Sequence, residues 1–142
     1  MIRPADASDL DQVRALFREY AERLEVDLSF QDFEAELADP FGAYVVVLLA
    51  EDGCVALRRI DDETCEMKRL YVRPAARGTG LGRRLTETVI ADARSRRFRR
   101  LRLDSLPSMA AARGLYTSLG FREIEAYRFN PVHGTTFFEL EL

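Results

Sequence analysis

The stretch Leu70-Tyr71-Val72-Arg73-Pro74-Ala75-Ala76-Arg77-Gly78-Thr79-Gly80-Leu81-Gly82-Arg83 holds three alternating glycines between two kinds of periodic sequence. Before it, Thr64 to Val72 reads as a strand that stops at Pro74. After it, Leu81, Leu85, Val89, Ile90 and Ala93 recur at helical spacing from Thr79 onward. A strand, a glycine loop and the start of a helix make a phosphate cradle. Glycines let the backbone approach an anion, and the first-turn N–H groups of the helix have no partner of their own. Arg77 adds a guanidinium capable of bidentate contact. Two nucleotide readings fail on spacing. A dinucleotide fingerprint counted from Gly78 needs a third glycine where Arg83 stands, and a P-loop needs Lys-Ser/Thr where Gly82 is followed by Arg83-Arg84.

Working outward, Ser8 and Asp11 resemble a capping box before Leu10, Val13, Leu16, Phe17 and Tyr20, which predicts a first helix. Ser29 and Asp32 repeat the arrangement before Phe30, Phe33 and Leu37, with Pro40 ending that helix. Tyr44 to Ala50, Cys54 to Ile60 and Thr64 to Val72 then read as an antiparallel meander. Its turns are Asp52-Gly53 and Asp61-Asp62-Glu63. Beyond the long helix, Arg100 to Asp104 is a short strand and Ser108 to Leu119 a helix closed by Gly120. Phe121 to Phe129 and Thr135 to Leu142 are strands around the loop Asn130-Pro131-Val132-His133-Gly134. The order ααβββαβαββ describes an α/β (α+β) domain with a mixed sheet over residues 1–142.

Composition narrows the setting. A chain of 142 residues with 47% apolar and 32% charged residues is one globular domain and not a disordered one. Its longest apolar run, Ala43 to Ala50, is strand-sized, so no membrane association is expected. The N-terminus turns acidic without an apolar core segment, so no secretory leader is expected. Cys54 and Cys65 have no His or Cys neighbours at metal-ligand spacing, which predicts no metal and a reducing, cytoplasmic setting. A net charge of -3 argues against nucleic acid, and the arginines from Arg94 to Arg102 read as a solvated helix end. Lys68 is the sole lysine and every other Lys/Arg cation is arginine, a bias expected of base composition in the coding sequence.

The pattern Arg77-x-x-Gly80-x-Gly82 resembles the acetyl-CoA pyrophosphate loop of the GNAT superfamily of N-acyltransferases. A second signature of that family, a helix ending in Leu-Tyr followed by Gly-Phe, resembles Ala112-Arg113-Gly114-Leu115-Tyr116-Thr117-Ser118-Leu119-Gly120-Phe121. The resemblance implies the acyl-CoA N-acyltransferase fold, acetyl-CoA as co-substrate and a small-molecule or peptide amine as acceptor. A homodimer is left open. Backbone groups of Leu70 and Val72 would hold pantetheine, with the Val72 N–H on the thioester carbonyl, and the amides of Arg77, Gly78, Thr79, Gly80, Leu81, Gly82 and Arg83 would hold the pyrophosphate. Tyr116 matches the residue that protonates the departing thiolate, a role suited to a phenol neutral at ordinary pH.

Glu66 is the candidate base. Strand alternation puts it on the face of Lys68, Leu70 and Val72 if no bulge intervenes; the competing reading pairs it with Lys68 or Arg58. Asn130 and His133 are candidates for holding the acceptor. Met109 stands where many relatives have asparagine. Neither cysteine has a neighbouring histidine in sequence, so direct attack of the amine within a ternary complex is expected. A noncatalytic acyl-CoA-binding or sensing module is the rival from another class.

Overall fold

A computed structural model describes residues 1–24, 32–107 and 109–142. The elements run β1 (Arg3–Pro4), α1 (Leu10–Leu24), α2 (Phe33–Ala38), α3 (Pro40–Ala43), β2 (Val46–Ala50), β3 (Gly53–Arg59), β4 (Thr64–Val72), α4 (Leu81–Ser95), β5 (Arg100–Ser105), α5 (Ala110–Ser118), β6 (Arg122–Ile124) and β7 (Thr136–Glu141). Among the described residues, seven strands form one mixed sheet in the order β1-β2-β3-β4-β5-β7-β6. Within it only β4 and β5 pair in parallel. No helix among the described residues is long and apolar enough to cross a membrane.

Both faces of the sheet are covered. On one face Leu85 and Val89 of α4 and Tyr116 of α5 pack against Leu57, Met67, Leu101 and Phe138. On the other, Val13, Leu16 and Phe17 of α1 and Phe33 and Leu37 of α2 pack against Val47, Leu49, Ala56 and Tyr71. Burial on two sides explains why β2 is apolar throughout and not alternating.

Five local expectations change in the fold. A short strand, β1, precedes the first helix, too short for alternation to show; Arg3 reaches Asp9 at 2.7 and 2.8 Å and holds it there. The cap is made two residues earlier than Ser8 and Asp11 suggest: Asp6 accepts the Ser8 N–H and Asp9 accepts the Asp6 N–H. Pro40 opens α3 at its first position, with Asp39 accepting the Gly42 N–H at 3.0 Å, because a proline's fixed φ and missing N–H suit a helix start. Ser29, Phe30 and Ser108 lie outside the described residues. The first hairpin turns through Glu51-Asp52, since Ala50 pairs with Gly53. Gly53 is a packing glycine: a Cβ there would stand 2.7 Å from the Tyr71 carbonyl oxygen. Finally, the sixth strand is short. β6 stops at Ile124, and the chain leaves the sheet to carry Tyr127 and Arg128 to carboxylates on β4 and β5.

A bulge in β4 decides the geometry of the site. Ala56 pairs with Lys68 and Cys54 with Tyr71, so β4 carries one residue more than β3. Arg69 absorbs it in a left-handed conformation, φ 59°, which costs a non-glycine residue about 1–2 kcal/mol. Its buried guanidinium meets both Glu36 oxygens at 2.8 Å and lies 5.5 Å from the Tyr20 ring and 5.3 Å from the Phe33 ring. Side-chain parity flips across the bulge. Cys65 and Met67 face α4 and so do Leu70 and Val72, whereas Glu66 and Lys68 face the opposite side. The expectation of one shared face for Glu66, Lys68, Leu70 and Val72 is thus corrected by an inserted residue that the alternation pattern alone does not reveal.

Candidate active site

The parallel pairing of β4 and β5 is confined to Thr64–Glu66 against Arg100–Arg102. Beyond Glu66 the two strands part, and β5 continues against β7 alone. The backbone at the rim of this gap is polar and outward-facing. Arg73 N–H donates to the Asp52 carbonyl at 2.8 Å, which makes Gly53–Val72 the non-hydrogen-bonded pair of the ladder. The Val72 N–H and carbonyl therefore point away from β3, toward the gap. The Arg77 guanidinium takes that carbonyl at 3.2 and 3.3 Å.

At the open end of the gap, between α1 on one side and the start of α4 and α5 on the other, lies a cleft of about 860 Å³ lined by Tyr20, Leu70, Val72, Arg77, Gly82 and Met109 among others. The glycine loop forms one end of this cleft. Gly78 and Gly80 have φ of 78° and 83°, and no side chain caps α4. A Cβ at either glycine would meet nothing within 4 Å, so the space before the loop is open. Arg84 is the first residue to donate along the helix, to Gly80 O, which leaves the N–H groups of Leu81, Gly82 and Arg83 directed out of the helix end. These groups fit a pyrophosphate. The cleft volume is that of a site for a large ligand.

Through the sheet runs a passage of about 30 Å³ lined by Lys68, Leu70, Asp104, Met109 and Tyr116 among others. A separate outer pocket of about 430 Å³ is lined by Glu36, Tyr44, Arg58, Lys68 and Arg128 among others. Leu70 and Met109 line both the cleft and the passage. Among the described residues Lys68 is the side chain that lines both passage and outer pocket. Tyr116 is buried, its ring 5.6 Å from Phe121 and 5.8 Å from Phe138. Burial pushes its phenol above the usual range, so the hydroxyl keeps its proton.

Glu66 is fully buried beneath the gap. Its Oε1 accepts two N–H groups of Arg58 at 2.8 and 3.1 Å, and its Oε2 accepts the Tyr127 hydroxyl and lies 3.3 Å from Arg128 Nε. Arg128 also reaches Asp104 at 3.0 Å, and Asn130 Nδ2 donates to the same Asp104 oxygen at 3.1 Å. Asn130 thus pins its loop to β5. His133 is exposed, and neither Asn130 nor His133 lines the cleft, the passage or the outer pocket.

Residues 10–121 match the model of the Acetyltransferase (GNAT) family. The chain belongs to the GNAT family. An N-acetyltransferase of Schizosaccharomyces pombe is 35% identical across the whole of this GNAT chain and 99% of its own. Among solved structures, an acyl-CoA N-acyltransferase of Klebsiella pneumoniae is 26% identical with a TM-score of 0.75, covering all of this chain and 97% of that one. A Salmonella typhimurium acetyltransferase crystallised with its cofactor acetyl-CoA is 25% identical with a TM-score of 0.72, covering 99% of this chain and 92% of that one.

Within this GNAT domain, sequence reasoning passed over Arg69, Tyr127 and Arg128. It noted Lys68 for its rarity and as a neighbour of Glu66, not as a site residue. Lys68 is 8% exposed, and burial pushes its ammonium down from 10.5 to about 7. The carboxylates of Glu66 and Asp104 oppose that shift, and Arg69 and Arg128 reinforce it. The sign follows. Between pH 7 and 10.5 the unfolded chain holds a proton on Lys68 that the folded chain lacks, so this residue makes stability rise with pH across that window. Below it, the cost of burying the ammonium is fully present. Lys68→Met should remove a slope of up to ~1.4 kcal/mol per pH unit. In urea titrations the variant should gain most on the wild type near pH ~6 and lose that advantage toward pH ~10. A constant difference across the range would mean that Lys68 titrates like a solvated lysine.

Proposed function

We propose that the protein transfers an acetyl group from acetyl-CoA, held in the cleft beside α4, to a primary amine that arrives through the outer pocket. The observation that carries this reading is the passage through the sheet. It shares Tyr20, Leu70 and Met109 with a cofactor-sized cleft and Lys68 with a pocket of small-amine size, and Tyr116 lines it. Two substrates held in the cleft and the outer pocket can then meet at the gap between them, which is the arrangement that direct transfer in a ternary complex needs. The Val72 N–H, turned toward the gap, stabilises charge on the thioester oxygen, and Tyr116 protonates the departing sulfur. The amides from Leu81 to Arg83 and the Arg77 guanidinium hold the pyrophosphate. Cys54 and Cys65 are poor nucleophiles, because burial pushes both thiols up, Cys65 to about 12, and both donate to backbone carbonyls at 3.4 Å. That supports direct attack over an acyl-enzyme.

The test begins with the cofactor. CoA at a hundredfold excess over its dissociation constant should stabilise the folded protein by ~2.7 kcal/mol, seen as a raised Tm. NAD and ATP should not. A shift with either nucleotide and none with CoA would remove the cofactor assignment. Release of CoA thiol from acetyl-CoA in the presence of an amine panel then separates transfer from mere binding.

A further inference from the structure

We propose that Lys68, and not Glu66, takes the proton from the incoming amine; the inference rests on the acetyl-transfer reading above. An acceptor amine is mostly an ammonium at neutral pH, and an ammonium has no lone pair with which to attack. A base must therefore stand where the acceptor passes from the outer pocket into the gap. Among the described residues, Lys68 is the titratable side chain that lines both spaces.

Glu66 is in the right neighbourhood but is already engaged. A carboxylate offers about four lone-pair directions. Arg58 supplies two donors, Tyr127 a third, and Arg128 closes the remaining side as an ion pair. None of its surface is open to solvent. Accepting a proton there would break a buried network holding β3, β4 and the loop after β6 together. Its role is positional: it fixes the guanidiniums and the loop that frame the outer pocket.

The residue type is informative. An arginine cannot act as a base in this pH range, whereas a lysine whose ammonium is desolvated can. In a chain whose other Lys/Arg cations are all arginine, the one lysine stands at the gap, buried. The groups packed around it are Tyr20 of α1, Glu36 of α2, Tyr44 after α3, Arg58 of β3, Glu66 and Arg69 of β4, Asp104 of β5 and Arg128 of the loop. With Lys68 pushed down to about 7, its neutral form is present at working pH and its charged form can still be made.

The protons balance. Lys68 accepts one proton from the ammonium and later returns it to water through the outer pocket. As the new C–N bond forms and the C–S bond breaks, Tyr116 gives its hydroxyl proton to the sulfur and takes the second proton from the nitrogen. Amide, CoA thiol and one released proton are the products.

The probe is acetyl-CoA with a mixture of the proteinogenic amino acids, spermidine and a tripeptide with a free N-terminus. For any acceptor used, Lys68→Met and Lys68→Arg should both lower kcat/KM by about 10²–10⁴ at neutral pH, with the loss shrinking as pH rises and free amine accumulates. The CoA-induced rise in Tm should persist in both variants, which shows that they are folded. If Lys68→Arg keeps the wild-type rate and pH profile, Lys68 is only a fixed positive charge for an acidic acceptor, and the inference is overturned.

A second measurement needs no acceptor. With lysine as the only labelled residue, the wild-type protein gives a single side-chain NMR signal, which should titrate near pH 7. A midpoint in the ordinary lysine range overturns the assignment. Glu66→Gln should lower Tm while leaving the pH–rate profile in place; loss of the acidic limb in that variant, with Lys68 still titrating, makes Glu66 the base. Wild-type protein that binds CoA yet acetylates nothing in the mixture refutes the transfer reading instead, and the Lys68 role goes with it.

Discussion

Tyr116→Phe is expected to slow acetyl transfer by ~10²–10⁴-fold while leaving CoA binding unchanged. The phenol sits in the wall of the passage where β4 and β5 part, and burial holds its proton in place. The ring itself serves the core, packing against Phe121 and Phe138 within the cluster under α4 and α5. Phenylalanine preserves that packing and deletes one hydroxyl, so stability should move by no more than ~1 kcal/mol. The expected signature is a fall in kcat with the CoA-induced Tm shift intact. A thiolate leaving without a proton donor is a poor leaving group, so the loss should ease for acyl donors whose thiol is more acidic. An undiminished rate with acetyl-CoA would reduce Tyr116 to a packing aromatic and hand its proton to water.

The second helix–loop signature was readable because its chemistry depends on local features. Leu115, Tyr116, Gly120 and Phe121 lie within one helix end, and Gly120 takes the positive φ that such an end requires, 95°. The glycine loop was readable for the same reason. Backbone conformation at Gly78 and Gly80 follows from residue type, and a helix must start after it. The meander was legible to its ends in Thr64–Val72, where apolar composition and flanking turn residues agree.

What stayed hidden depends on distant partners. Nothing in the residues around Arg69 announces a left-handed arginine. Its conformation is held by Glu36, Tyr20 and Phe33, all far away in the chain. The bulge that follows moves Glu66 away from the Leu70 face, and a strand-parity argument cannot see it. Likewise, Phe121 to Phe129 has the composition of a strand, yet Tyr127 and Arg128 are drawn off to Glu66 and Asp104. Buried ion pairs override local propensity here. Glu36 and Arg128 of the outer pocket are held by such long-range pairs, which is why they were not found from spacing.

Gly80→Asp should abolish the CoA effect without unfolding the protein. A Cβ at Gly80 would meet nothing within 4 Å, so the side chain enters open space. The backbone there has φ 83°, a strain that aspartate tolerates better than most residues and that should cost on the order of 1 kcal/mol. Part of this is offset, because a carboxylate at the start of α4 is favoured by the helix dipole and can accept the N–H groups that no side chain now caps. The same placement defeats the cofactor. The carboxylate occupies the N–H groups from Leu81 to Arg83 and sets a negative charge against the pyrophosphate. The ~2.7 kcal/mol stabilisation expected at a hundredfold CoA excess should then fall to nothing at the same CoA concentration. Gly80→Ala separates strain from charge, since it imposes at least as large a φ penalty with no anion and should retain much of the CoA shift. If folded Gly80→Asp still gains the full Tm shift from CoA, the pyrophosphate does not lie at this helix end. The Arg77 guanidinium, free to swing from the Val72 carbonyl, would then be the nearer anchor.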